Sequence, residues 1–191
     1  MDRKTKARTL RHAGCARLEI GAISQHVNAT PERGKGHRCY IALGSNLGDS
    51  AMILRETMDR LQNFSDSPLL KSSLWKSAPV DCPPGSPMFL NAVVGLIPRA
   101  GETPESLLQK LQSLEREFGR KPKTILNEPR PLDLDLIAFG QETRNTAELL
   151  LPHPRAHLRR FVLQPLSEIA PDLILPGQTK NVKVLLADVT D

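Results

Sequence analysis

Aromatic residues are scarce in this chain: one tryptophan, one tyrosine and five phenylalanines among 191 residues. A sheet that binds single-stranded RNA needs exposed rings for base stacking and a basic platform around them. The platform is missing too. Residues 1–38 hold nine Lys/Arg against three Asp/Glu, whereas residues 39–191 hold seventeen against eighteen. The whole basic excess behind the net charge of +5 therefore sits in the N-terminal stretch. The rest of the chain has no general attraction for polyanions, and no nucleic-acid partner is expected. No apolar run approaches the roughly 20 residues that span a bilayer, so no membrane partner is expected either. The three cysteines, Cys15, Cys39 and Cys82, show neither a disulfide framework nor zinc spacing. The expected compartment is the reducing cytoplasm. Internal repeats and low-complexity segments are absent as well.

What is present begins at residue 39. Residues 1–38 lack a sustained hydrophobic period and read as a basic, flexible extension. Residues 39–191 form one domain. Its opening run, Cys39-Tyr40-Ile41-Ala42-Leu43, reads as a strand that stops at Gly44. Residues 44–49 make a tight turn into a helix; without the Gly-Lys-Ser/Thr ending of a P-loop it reads as a structural turn. Leu54, Met58 and Leu61 give that helix an apolar face. Residues 69–77 read as a second strand. Residues 78–87, with four prolines and a glycine, form a loop long enough to cover a site.

Residues 89–96 are a third strand, with Phe89, Asn91 and Val93 on one face and Leu90, Ala92 and Val94 on the other. Asn91 is out of character there, since a buried amide needs partners. Thr103 and Pro104 open a second helix, and Gly119 ends it. Gln112 and Glu115 lie three apart on one of its faces. A helix is expected to start near Pro154, with His153 at its N-terminus and Arg155 and Arg159 on one face. Pro165 is expected to limit it. Residues 173–175 read as a short strand, and Val182, Leu185, Leu186 and Val189 as a final helix. The order β-α-β-β-α-β over residues 39–139 predicts an α+β fold: a ferredoxin-like antiparallel sheet with C-terminal helical and strand additions.

One stretch organises the chemistry: Arg130-Pro131-Leu132-Asp133-Leu134-Asp135-Leu136. Period-two alternation sends the three leucines to a core and both aspartates to the opposite face. Two carboxylates so close call for positive charge between them. Mg²⁺ takes oxygen ligands and usually arrives with substrate phosphates. The bland alternative is an acidic outer strand face. The loop at 120–130 brings Arg120, Lys121, Lys123 and Arg130 to the same strand, the balance of charge that a Mg²⁺–phosphate site needs.

Four motifs in order carry a family resemblance: residues 40–48 (Tyr-Ile-Ala-Leu-Gly-Ser-Asn-Leu-Gly), 89–92 (Phe-Leu-Asn-Ala), 129–135 (Pro-Arg-Pro-Leu-Asp-Leu-Asp) and 152–155 (Pro-His-Pro-Arg). Over residues 39–178 the chain closely resembles the 6-hydroxymethyl-7,8-dihydropterin pyrophosphokinases of folate biosynthesis. The resemblance implies transfer of diphosphate from ATP to the pterin hydroxymethyl oxygen, with release of AMP. By it, Asp133 and Asp135 hold two Mg²⁺ ions. Phe89 and Phe161 sandwich the pterin, Asn91 hydrogen-bonds its edge, and Ser77 and Val80 border it. Gln112 and Glu115 contact ATP, and Arg120, Arg130, His153 and Arg159 bind its phosphates. Arg120 and Arg130 join the two aspartates in the catalytic set. A monomer acting on small molecules is expected. The family's Arg-Trp-Gly-Pro-Arg is replaced here by Leu126-Asn127-Glu128-Pro129-Arg130, and Pro122 stands where some members have arginine. No side chain stands out as a general base, because metal binding claims the lone pairs of Asp133 and Asp135. The alternatives are another two-metal ATP-dependent transferase, or an inactive pterin- or nucleotide-binding relative.

Overall fold

The computed structural model describes residues 38–121 and 127–189, together with the backbone of residues 16 and 17. The flexible reading of the N-terminal extension, and the changes at Pro122 and Leu126, otherwise fall outside the described residues. Ala16–Arg17 forms a two-residue strand, β1. The strands that follow are β2 (Cys39–Ser45), β3 (Leu70–Lys71), β4 (Trp75–Ser77), β5 (Phe89–Leu96) and β6 (Asp133–Phe139). They form one antiparallel sheet in the order β1-β4-β5-β2-β6, with β3 also paired to β5. A separate two-stranded ribbon joins β7 (Arg144–Asn145) to β8 (Leu150–Leu151).

Helices α1 (Ser50–Leu61) and α2 (Pro104–Glu117) start where capping chemistry dictates. Asp49 accepts the Met52 N–H, and Thr103 and Ser106 form a reciprocal capping box with Pro104 in the first turn. Both helices bury Leu54, Leu61, Leu107 and Leu111 completely against one sheet face. Full burial of each such side chain is worth about 1.5–3 kcal/mol. Leu132, Leu134 and Leu136 join that core, as their alternation predicts. Helices α3 (Arg160–Ile169) and α4 (Val182–Asp188) cover part of the other face, packing on Tyr40, Val93, Ile137 and Ala138.

Four local expectations need correction. The second strand is broken: Ser72 bulges out, its backbone N–H reaching Val93 O while its hydroxyl accepts the Val93 N–H. The residue count between paired positions is one greater on this side than on β5. The third helix starts at Arg160, after a single tight turn at Ala156–Leu158, so Arg155 and Arg159 share no helix face. Pro165 lies inside α3 instead of limiting it; burial of Val162, Leu163 and Leu166 outweighs one missing backbone donor. Residues 173–175 form no strand. Leu175 instead enters the core beneath α3 and α4.

β6 carries an irregularity that matters later. Tyr40 pairs with Ala138 and Ile41 with Leu136, leaving Ile137 as an extra residue. The bulge resets the alternation. Leu136 faces the α1/α2 core, Ile137 and Ala138 face α3 and α4, and Phe139 returns to the first core.

Candidate active site

The uncovered part of the second sheet face is open because its central strand is nearly bare there. On β2, Gly44 lies between Asn91 of β5 and Asp133 of β6. Ala42 likewise lies between Val93 and Asp135. A β-carbon at Gly44 would stand 3.7 Å from Asn91 Oδ1, Asp133 Cβ and Phe89 Cδ1 alike. Glycine thus leaves a floor bounded by an amide, a carboxylate and an aromatic ring. A cavity rises from this floor. Phe89, Asn91, Ser77 and Val80 line it on one side, and Arg130, Asp133, Asp135 and Arg159 on the other. Phe161, in the first turn of α3, closes it from above.

Asn91 is 5% exposed, and its amide donates to Ser77 Oγ at 2.8 Å and Trp75 O at 3.3 Å. These bonds hold it upright against Gly44. Arg130 makes three kinds of contact. Its Nη2 reaches Asp133 at 2.7 Å, its Nη1 reaches Glu128 O, and its guanidinium lies 5.5 Å from the Phe89 ring centre. Its Nε–H is buried and has no acceptor among the described residues. A buried donor left so is costly unless a ligand oxygen receives it. Arg159 similarly lies 5.4 Å from the Phe161 ring.

The carboxylates stand in different company. Asp133 accepts from Arg120 at 2.6 Å and from Arg130. Among the described residues Asp135 has looser basic neighbours, the Arg159 guanidinium and the His153 imidazole, each at 4.0 Å. Burial raises the Asp135 pKa, and the charge of Asp133 raises it further, against the pull of His153, Arg159 and Arg130. His153 moves the opposite way: burial lowers its pKa, Asp135 opposes this, and Arg159 and Arg155 add to the lowering. Burial also lowers Arg159, helped by Arg155.

Behind the pair lies Glu115, 7% exposed. It accepts the Leu134 N–H at 2.7 Å and is ion-paired with Arg120. It locks α2 to β6 and holds Arg120 against Asp133. Burial pushes its carboxyl up to about 7, against the Leu134 N–H and Arg120, which lower it. A carboxyl raised in the folded state stabilises the fold below its unfolded pKa of about 4.3, and that contribution fades as pH climbs to about 7. Glu115→Gln keeps the acceptor and cannot ionise. The melting temperature of the native chain relative to this variant is expected to fall by a few degrees between pH 4.5 and 7. A pH-independent difference in thermal melts would contradict the burial argument.

A family model described as 7,8-dihydro-6-hydroxymethylpterin-pyrophosphokinase (HPPK) matches residues 40–171. The chain belongs to this family. Among similar members, the 2-amino-4-hydroxy-6-hydroxymethyldihydropteridine pyrophosphokinase of Pseudomonas aeruginosa is 37% identical over 151 residues, covering 78% of this chain and 91% of that protein. The equivalent of Haemophilus influenzae is 39% identical over 139 residues, covering 72% and 84%. A folic acid synthesis protein of Pneumocystis carinii is 38% identical over 152 residues, covering 80% of this chain but 20% of that one. The crystal structure of Plasmodium falciparum HPPK-DHPS with pteroate superposes with a TM-score of 0.62 at 12% identity, covering 82% of this chain and 45% of that one. At that identity the likeness speaks for the fold.

Of the residues expected to act, nine line the one cavity: Ser77, Val80, Phe89, Asn91, Arg130, Asp133, Asp135, Arg159 and Phe161. Arg120 and His153 stand just behind, against Asp133 and Asp135. Glu115 supports Arg120, while Gln112 is exposed on α2 away from the lining. Sequence reasoning missed Gly44 as the floor, and missed Asn46. Asn46 is 4% exposed; its side chain accepts the Arg130 N–H at 2.9 Å and donates to Pro87 O at 3.3 Å. The signal was available: Asp49 caps α1, leaving an asparagine in that turn with no capping duty.

Proposed function

We propose that this chain, as a member of its family, transfers the diphosphate of ATP to the hydroxymethyl oxygen of 6-hydroxymethyl-7,8-dihydropterin and releases AMP. The observation that carries this reading is a single cavity with two chemistries. An amide flanked by aromatic rings faces two carboxylates and two arginines across a glycine floor. A flat heterocycle with a polar edge suits the first half, and a polyphosphate suits the second.

The described residues include no cluster of three or more His, Cys, Asp or Glu side chains able to hold a metal. Asp133 and Asp135 nevertheless fit Mg²⁺, which commonly takes one or two carboxylates and completes its shell with phosphate oxygens and water. The raised pKa of Asp135 marks a place where added positive charge is welcome. Two bound Mg²⁺ ions would supply neutralisation of the phosphate oxygens. The protein supplies the rest. Phe89 and Phe161 hold the pterin between their rings, Asn91 reads its edge, and Ser77 and Val80 border it. Arg130 directs its Nε–H, which has no acceptor among the described residues, at phosphate oxygens, Arg159 directs its charge there, and His153 offers an imidazole N–H. Arg120, held by Glu115, keeps Asp133 oriented, and Gln112 meets the nucleotide from α2. Together they align the hydroxymethyl oxygen with the β-phosphorus and shield the site from water.

The strand order β4-β5-β2-β6 supports the ferredoxin-like reading of the fold. Cys39 and Cys82 are thiols outside any disulfide among the described residues, which suits the cytoplasm, and a monomer suffices for a site built from one chain. The deciding assay is pterin-dependent formation of AMP from ATP with Mg²⁺; release of pyrophosphate instead would favour a nucleotidyl transferase. Asn91→Leu is expected to weaken pterin binding by about thirtyfold or more, since it removes a buried hydrogen-bonding group from the pterin edge. Affinity for a non-hydrolysable ATP analogue should hold within threefold. Equal losses in titration calorimetry would remove Asn91 from its role.

A further inference from the structure

Two segments wall the cavity, residues 78–82 from the loop before β5 and residues 127–130 just before β6. Their loops are tied together twice. At their bases, buried Asn46 bonds Pro87 on one side and Arg130 on the other, and its own N–H donates to Arg130 O at 3.2 Å. Further out, the Asn127 side-chain amide donates to the backbone carbonyl of Asp81 at 2.7 Å, across 46 residues of chain. Both Asn127 and Asp81 line the cavity.

The outer tie has a second mark. Asp81 has φ +54° and Asn127 φ +55°. They are the two non-glycine residues in the left-handed region among the described residues, and each is the partner of the other. Such backbones persist where the surroundings hold them. The segment at 78–82 has little else to hold it. Its remaining hydrogen bond is local, Cys82 Sγ to Val80 O, and Val80 is 56% exposed. Farther along, Ser86 bonds only back to Pro83. Among the described residues, no other long-range hydrogen bond reaches residues 78–82.

We infer that Asn127 is a positioning residue: its amide clasps the segment at 80–82, on the pterin side of the cavity, to the loop that leads into the acidic strand. The wall that borders the pterin is thereby set from the phosphate side. Arg130 follows Asn127 by three residues and anchors the same loop to Asp133. Order imposed on that loop by nucleotide phosphates is passed through the clasp to the pterin wall. Coupling between nucleotide and pterin that runs through this loop therefore passes through the clasp, and by linkage it is equal in both directions. This rests on the assignment of the two substrates to the two halves of the cavity.

The test uses the full chain and two glycine substitutions. Asn127→Gly keeps the left-handed backbone available and removes the amide. Asp81→Gly keeps the acceptor carbonyl and the same backbone freedom on the other side of the clasp. Pterin dissociation constants are measured with and without a non-hydrolysable ATP analogue. In the presence of the analogue, Asn127→Gly is expected to weaken pterin binding by about five- to tenfold, the weight of one hydrogen bond. It should also reduce the enhancement by the analogue, with affinity for the analogue alone within twofold of native. Asp81 also lines the cavity, so Asp81→Gly is expected to cost some pterin affinity, but less than Asn127→Gly, and to keep the enhancement by the analogue because the acceptor carbonyl remains. A second readout is the alkylation rate of Cys82 in a Cys15→Ser background, where Cys39 is buried. The rate should rise in Asn127→Gly and not in Asp81→Gly. Native-like pterin binding and coupling in Asn127→Gly would overturn the inference. So would losses in Asp81→Gly as large as those in Asn127→Gly, since loop freedom alone would then account for them. Asn91→Leu, run alongside, separates the two levels. If it leaves pterin binding intact, the substrate assignment falls; if it weakens binding while Asn127→Gly does not, only the clasp falls.

Discussion

Asp133→Ala is expected to lower kcat/KM for diphosphate transfer by at least about a thousandfold, the scale on which charge-stabilising groups act in phosphoryl transfer. The side chain has two duties in the proposed site. It is one of the two carboxylates facing the phosphates, and it holds the guanidiniums of Arg120 and Arg130 in a fixed fork. Its removal strips the site of one and disorders the other. The fold itself should survive. Arg120 keeps Glu115, Arg130 keeps Glu128 O, and Asp135 loses the like charge that helps raise its pKa. Melting temperature is therefore expected to move by only a few degrees. Asp133→Asn should be nearly as inactive, because it keeps the shape and loses the charge. Retention of a tenth of native turnover by the alanine variant, measured as AMP released, would remove Asp133 from the reaction.

Arg130→Lys comes next in expected size, with kcat lower by about a hundredfold or more. The substitution keeps the charge, so a purely electrostatic role would tolerate it. Arg130 does more than carry charge. It bonds Asp133 through Nη2, lies over Phe89, and presents a buried Nε–H without an acceptor among the described residues. Lysine carries its three donors on one nitrogen and has no planar fork, so it cannot set two donors at the separation of Nη2 and Nε. The loss should appear in single-turnover rates more than in nucleotide affinity, because the free donor is matched to the transferring phosphates. A lysine variant within threefold of native in single turnover would show that the Nε–H has no partner in the reaction.

Much of this was legible in the chain. Strict alternation in 132–136 predicted which side of β6 carries Leu132, Leu134 and Leu136, and all three are buried in the α1/α2 core. Asn91 in an apolar strand marked the polar point of the cavity, and Thr103 with Pro104 marked the start of α2. The misses share a cause. Ser72, Asn46 and Asn127 act by bonding backbone groups distant in sequence, Asn46 on loops 41 and 84 residues away. No periodicity reports such a bond. The late start of α3 has the same origin. His153 and Ala156 are held by backbone bonds outside any helix, the first to Ile137 O and the second to His153 O. Glu115 was legible as a polar position on a helix. Its burial beneath Arg120 depends on how α2 lies across β6, which local pattern does not encode.

The bulge at Ile137 has a consequence for how this site can be moved or rebuilt. The extra residue frees the Ile137 carbonyl from its neighbour strand, and that carbonyl receives the His153 N–H at 2.9 Å. His153 is thereby pinned beside Asp135. The bulge is a phase marker: the acidic pair keeps one register with β2, and everything beyond it keeps another. The acidic heptapeptide is consequently not a portable cassette. Grafted onto a straight strand of another sheet it would carry its carboxylates along and leave its basic partner behind, one residue out of step.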